Sequence, residues 1–253
     1  MKYFFLIILI LFSFSLYGRE VGETEITSEE GIEVFQNEKY YLLKKNVKIN
    51  SDSFTLLGDE IRIFFDKDLY DVKKIDASKN VNLISNIHNI KAVGENLIFT
   101  IDTEEIFIKG KNSQLQTADV DMFSNGQIKV NNLDGNFLIT GPDSNMKAQN
   151  IYIEGEYIEG IFNNSENLRE IIFLKVIDEN LAYIKTENTD MYSNIVNYNK
   201  DNSLIELENN VKIIRDGEKI TGDYGTLNTE TNSYKVKSKN SNKVKVIISN
   251  KDE

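Results

Sequence analysis

The stretch that decides the fold is Asn46-Val47-Lys48-Ile49 followed by Gly58-Asp59, because it returns twice more along the chain. Asn210-Val211-Lys212-Ile213 is followed at the same offset by Gly222-Asp223. Asn80-Val81-Asn82-Leu83 is followed, two residues late, by Gly94-Glu95. Each copy reads as a short alternating strand, a polar turn, a Gly-acid corner and a second strand. A hairpin of that size cannot bury its apolar face alone, so the copies must stack on one another.

The texture around these copies is uniform from Ile32 onward. Ile61-Arg62-Ile63, Ile106-Phe107-Ile108 and Ile151-Tyr152-Ile153 alternate apolar and polar residues, the period of a half-buried strand. Asn, Asp, Gly and Ser fill the gaps, as turns require. Pro142, the single proline, sits in the turn Thr140-Gly141-Pro142-Asp143-Ser144, and Asp216-Gly217 has the form of a hairpin dipeptide. No stretch beyond the N-terminal segment keeps a helical period. The expected fold is all-β, an elongated stack of repeated hairpins arranged as a sandwich, a barrel or a solenoid.

The N-terminus is different. Lys2 precedes an almost unbroken apolar run from Tyr3 to Tyr17, closed by Gly18-Arg19-Glu20. That length suits a secretory signal peptide, or an uncleaved anchor, and either way the rest of the chain is expected to be delivered across a membrane. The expected organisation is a signal segment over 1–18, an acidic linker over 19–31, a first β-unit over 32–115, a second over 116–240 continuous with it, and a terminal strand with a frayed tail over 241–253.

Composition narrows the chemistry. Lys and Arg number 29 against 40 Asp and Glu, a formal charge of −11, which argues against nucleic acid as a partner. The absence of Cys removes disulfides, thiolate metal sites and thiol nucleophiles. His88 is the only histidine, so neither a catalytic triad nor an imidazole zinc site is expected. The pairs Asp119/Asp121, Glu104/Glu105, Glu154/Glu156 and Asp66/Asp68 are what 40 acids in a strand-rich chain produce by chance; i,i+2 acids on a strand share one face, usually the wet one. No enzyme activity, cofactor or metal is expected.

The remaining constellation is apolar. Val47, Ile49, Leu57, Ile61, Ile63, Val81, Leu83, Leu97, Phe99, Ile106, Ile108, Val211, Ile213, Ile220 and Leu227 fall on the inward parity of their strands, or flank a Gly-acid corner. They form either the filled core of a sandwich or the lining of an interior that accepts acyl chains.

Asn210-Val211 with Ile220-Thr221-Gly222-Asp223, Asn46-Val47 with Leu57-Gly58-Asp59, and Asn80-Val81 with Gly94-Glu95 together resemble the OstA-like module of the lipopolysaccharide transport proteins, that of LptA above all. The chain departs from that module in having Lys45, Lys79 and Asn209 where a glycine usually precedes Asn-Val. The resemblance implies a periplasmic protein with the fold of an elongated, twisted, open β-jellyroll of two antiparallel sheets, whose apolar interior shelters lipid A acyl chains and whose fifteen inward residues named above form the groove. It also implies partners: lipopolysaccharide, LptC-like and LptD-like components joined by edge-strand pairing, and further copies of the chain head to tail. Alternative readings are an LptC-like sibling anchored through Tyr3–Tyr17, a structural or adhesive β-solenoid without ligand, and a carbohydrate-active β-helix.

Overall fold

The computed structural model describes residues 21–67, 71–85, 87, 89–163, 170–239 and 243–248. The apolar N-terminal segment, His88 and Asp68 lie outside them. Among the described residues there are twenty strands, all paired antiparallel, and one short 3-10 turn at Lys200–Asn202. The all-β, antiparallel architecture expected from the alternating pattern is the one observed.

The long strands are not straight. In β3 (Tyr40–Asn50), β4 (Phe54–Phe65), β5 (Val72–Ser85) and β6 (Ile90–Thr100) the ladder pairing shifts near the strand middle. The same happens in β15 (Glu170–Lys185), β16 (Thr189–Asn199), β17 (Leu204–Arg215) and β18 (Glu218–Asn228). Each strand bends at that point and leaves one layer for the other, as bulged strands do.

Two kinds of residue make the bend. In β3, β5 and β17 it is a left-handed pair: Lys45-Asn46, Lys79-Asn80 and Asn209-Asn210 all have φ between 48° and 63°. Asn tolerates that region better than other side chains with a Cβ. In the strand that follows, the bend is the Gly-acid pair. The valine after each left-handed asparagine lies opposite that glycine: Val47 against Gly58, Val81 against Gly94, Val211 against Gly222. The sequence echo is therefore a pair of adjoining bends. Its delay in the middle copy relative to the last has a plain cause: Ser85 pairs with Ile90 across four intervening positions, whereas Arg215 pairs with Glu218 across Asp216-Gly217 alone.

Between β6 and β15 the rungs are divided. β7 (Glu105–Lys109), β10 (Gln127–Asn131), β11 (Asn136–Thr140) and β14 (Tyr157–Asn163) extend one layer. β8 (Ser113–Gln116), β9 (Val120–Ser124), β12 (Asn145–Ala148) and β13 (Ile151–Glu154) extend the other. Short crossings replace the bends here. Ser113, Ser124 and Ser144 are buried at these crossings and satisfied: Ser144 donates to Gly141 O at 2.7 Å, Ser124 to Thr140 O at 2.8 Å and Ser113 to Gly110 O at 2.8 Å. Pro142 lies in the crossing from β11 to β12, with Gly141 and Asp143 at positive φ on either side of it.

The bends and crossings line up into one seam along the stack. Asn80 Nδ2 donates to Asp59 at 2.8 Å, Asn125 Nδ2 to Asp143 at 2.7 Å, Asn210 Nδ2 to Asn194 at 2.8 Å, and the Glu156 amide to Asp178 at 3.1 Å. Opposite the seam, two rows of hairpin turns form free rims, and no ladder pairing joins them among the described residues. At one end β1 (Glu25–Thr27) and β2 (Ile32–Phe35) both pair with β3 and make the first rung. At the other end β19 (Tyr234–Lys237) and β20 (Lys245–Ile248) both pair with β18. Residues 25–27 thus form a strand inside the stretch read from sequence as a linker, because Glu25–Thr27 finds the open edge of β3. Counting along either layer gives fourteen rungs, which at about 4.8 Å each makes a stack roughly 60 Å long.

Inside lies one continuous apolar cluster running from Leu43 to Leu227. At the bends this interior sets the residue. A Cβ built on Gly94 would come within 2.5 Å of Ile108 Cγ2, and Ile108 is fully buried, whereas a Cβ on Gly58 meets nothing nearer than 3.5 Å. Gly94→Ala is therefore expected to cost about 1–3 kcal/mol through overpacking, while Gly58→Ala stays within about 0.5 kcal/mol of the parent; urea unfolding of the two variants checks the contrast.

On the outer faces, tyrosines pair with carboxylates. Tyr152 donates to Glu154 at 2.5 Å, Tyr183 to Asp190 at 2.6 Å and Tyr224 to Glu206 at 2.7 Å. Burial and the Glu154 carboxylate push the Tyr152 phenol up to about 12. The bond to Glu206, then burial, push Tyr224 up to about 12. Tyr183 is raised as well, by burial first and Asp190 second. A phenol that holds its proton longer in the folded chain stabilises fully below its unfolded value near 10 and loses that contribution as pH rises through the folded value. Stability is expected to fall between about pH 10 and 12, and Tyr224→Phe to flatten part of that fall; urea midpoints across this range test it.

Candidate functional site

The candidate site is the space between the layers. Of the fifteen residues read as groove lining, Val47, Ile49, Ile61, Ile63, Val81, Leu83, Leu97, Ile106, Ile108, Val211, Ile213, Ile220 and Leu227 are buried with side chains facing inward. Phe99 is half-buried and packs against the same cluster. Leu57 is placed differently: it is 37% exposed on the outer face, and its neighbour Leu56 takes the interior position at 1%. The reason is the bend. Leu56 and Gly58 face inward before it, Ile61 and Ile63 after it, so the parity of β4 switches from even to odd across Gly58-Asp59. A reading that carried odd parity straight through the strand put Leu57 inside.

Sequence reasoning also missed much of the interior, because it lies on the short divided strands. Leu115, Val120, Met122, Ile128, Ile139, Met146, Ile153 and Ile158 are all buried at 3% exposure or less. Their signal was present as short alternations, as in Val120-Asp121-Met122, but in segments too brief to phase against the repeat.

Along most of the stack the two layers close on their own side chains. Leu43, Ile61, Leu97, Ile108, Ile139 and Ile158 have no solvent exposure at all. The rims open beside β4–β7 and β10. A cavity of about 220 Å³ lies between the turns of the two layers near β4–β7 and β10. Phe54, Leu83 and Ile90 line it from one layer, and Phe99, Ile101 and Ile106 from the other. Polar groups appear at its lips: Ser53, Ser85, Glu104 and Asn132. Asn132 Nδ2 donates to Glu104 at 2.5 Å, and the Asn132 amide donates to Glu104 O at 3.1 Å, so the β6–β7 and β10–β11 turns are tied together there. A shallow groove of about 360 Å³ continues outward past Ile84, Ser85, Ile90 and Lys91.

Both ends of the stack expose interior positions. Ile32 and Val34 of β2 are 49% and 47% exposed, and Val246 and Ile248 of β20 are 51% and 67% exposed. Ile32 lies opposite Leu43 and Val246 opposite Ile220, so they continue the inward rows beyond the last covered rung.

The carboxylate pairs are engaged elsewhere. Asp66 pairs with Lys39 at 3.3 Å, Glu105 with Lys129 at 2.9 Å, and Glu154 accepts from Tyr152. Among the described residues no group of three or more acids and histidines is arranged to hold a metal ion.

No family model and no curated protein matches the chain. Among solved structures it is similar to LptH, the LptA homologous periplasmic component of the lipopolysaccharide transport device from Pseudomonas aeruginosa, at 8% identity over 90% of this chain and 96% of that one, with a TM-score of 0.23. At that score the likeness carries no argument about the site, and the β-sandwich described above rests on its own strand pairing.

Proposed function

We propose that the protein is an exported, non-catalytic carrier of lipopolysaccharide that shelters acyl chains between its two layers and passes them along a bridge between the inner and outer membranes. The observation that carries the reading is an apolar interior hinged along one seam, unjoined by any ladder along the opposite rims and uncovered at both ends. Parting the rims breaks apolar contacts and, near the last rungs, the hydrogen bonds from Arg215 to Asn232 O and from Tyr234 to Glu218, both at 2.8 Å, while each CH₂ buried in exchange returns about 0.8 kcal/mol. The repeated Asn-Val and Gly-acid bends, which resemble the OstA-like module, support the same reading.

The ends supply the second half of the proposal. The first rung runs from the β1 layer to the β2 layer, and the last runs from the β19 layer to the β20 layer. With the layers aligned, the last rung of one module therefore meets the first rung of the next antiparallel, continuing the ladder by β-augmentation. Such pairing covers Ile32, Val34, Val246 and Ile248, exposed edges that are a liability in a lone molecule. LptC-like and LptD-like modules, or further copies of this chain, would fit those edges in the same way.

The closed interior favours a second reading, a structural β-solenoid that holds no ligand. A photo-reactive residue at Phe99 separates the two: it should capture lipopolysaccharide, while the same residue at outward-facing Lys48 should not. Absence of capture at Phe99 would leave the solenoid standing. Val34→Lys with Val246→Asp should abolish head-to-tail oligomers while leaving the fold unchanged, measured by light scattering and far-ultraviolet circular dichroism.

A further inference from the structure

We infer that the opening between Phe54 and Asn132 is a side port for a single acyl chain whose linkage is uncharged, an ester, amide or glycoside, and that it turns away the carboxylate of a free fatty acid. The inference rests on the carrier reading above and sharpens it to one place and one ligand chemistry.

The wall of the port is hydrocarbon, from Phe54, Leu83, Ile90, Phe99, Ile101 and Ile106. A cavity of about 220 Å³ in such a wall takes part of one tail, whereas a sugar there would leave its hydroxyls facing hydrocarbon. The depth of the port meets the buried cluster, since Leu83, Ile90 and Ile106 belong to it.

The lips decide what can be attached to the tail. Among the described residues no lysine or arginine lines the port, and Glu104 is its one charged group. The turns that carry the lips hold further acids: Asp52 beside Ser53, Asp102 beside Ile101, and Asp134 two residues from Asn132. The nearby cations are turned to other tasks. Lys73 pairs with Asp71 at 3.2 Å and Asp102 at 3.5 Å, and Lys91 lines the shallow groove outside. A carboxylate following a tail into this mouth would face Glu104 with no counter-charge, and like charges brought together outside bulk water repel. A hydroxyl or amide has the reverse experience: the Glu104 carboxylate and the Ser53 and Ser85 hydroxyls offer it hydrogen-bond partners. A phosphate-bearing head would have to lie away from this lip, with only its tail reaching in.

The test uses the full mature chain, stripped of lipid, and two probes of equal alkyl length: monomeric undecyl maltoside and laurate. Calorimetric or fluorescence titration should find the maltoside bound about tenfold or more tightly than laurate, a difference of about 1.4 kcal/mol. Glu104→Gln keeps an acceptor for Asn132 and should raise laurate affinity toward that of the maltoside. Ser85→Trp, at a half-exposed lip that tolerates a larger side chain, should block both probes. Equal binding of the two probes by the parent, or no gain for laurate in Glu104→Gln, overturns the inference. So does failure of the maltoside to bind while lipopolysaccharide is still captured at Phe99, a result that spares the carrier reading. Failure of both probes and of lipopolysaccharide overturns the port and the carrier together.

Discussion

Everything in this molecule depends on the bend in the middle of its long strands. A straight strand of eleven to sixteen residues would lie in one flat sheet with an apolar face and nothing to cover it. Bending each strand at Lys45-Asn46, Gly58-Asp59, Lys79-Asn80, Gly94-Glu95 and their later counterparts folds that sheet onto itself, so one set of hairpins supplies both walls of the core. The side-chain demands follow directly. A left-handed backbone selects Asn, a close approach by Ile108 or Val236 selects Gly, and the Asn and Asp side chains then bond to one another along the outside of the bend.

This construction makes the two long edges of the sandwich unequal. Along the seam the layers are joined covalently at every rung and tied by hydrogen bonds between neighbouring bends. Along the rims they meet through side chains, as where Arg215 beside the Asp216-Gly217 turn reaches Asn232 O in the other layer. Separation of the layers therefore has a built-in hinge and a built-in mouth. The cavity beside Phe99 and Ile106 lies on the rim side, where opening disturbs no ladder. The ends are unequal to the middle for a related reason: antiparallel stacking has no closing rung, so Ile32, Val34, Val246 and Ile248 stay uncovered until another strand arrives.

Much of the fold was legible in the sequence. The recurring Asn-Val and Gly-acid pairs marked the bends, Asp216-Gly217 marked a two-residue hairpin, and alternation marked which faces are apolar. Thirteen of the fifteen residues chosen for the interior are buried there, because a period of two is strict within any unbroken half-strand. Leu57 was misplaced where the half-strand breaks: parity counted through Gly58-Asp59 is shifted by one, and only the pairing of Leu57 with Asn82 and Glu60 with Ser78 shows it. The divided strands from β7 to β14 were faint for the same reason, since five-residue alternations separated by crossings carry no common phase.

By itself the sequence determined that this chain stacks cornered hairpins with an apolar side and, having no cysteine, has no thiol chemistry. Local rules suffice for that, because positive φ, close approach and a period of two act over a few residues. Only the tertiary structure decided that the interior is closed along most of its length, that it opens at Phe54, Phe99 and Asn132, and that the chain ends on two uncovered rungs. Those features depend on how side chains from strands far apart in sequence fill a shared volume. No local pattern records whether two walls meet, since the same Ile and Val line a filled core or an open one.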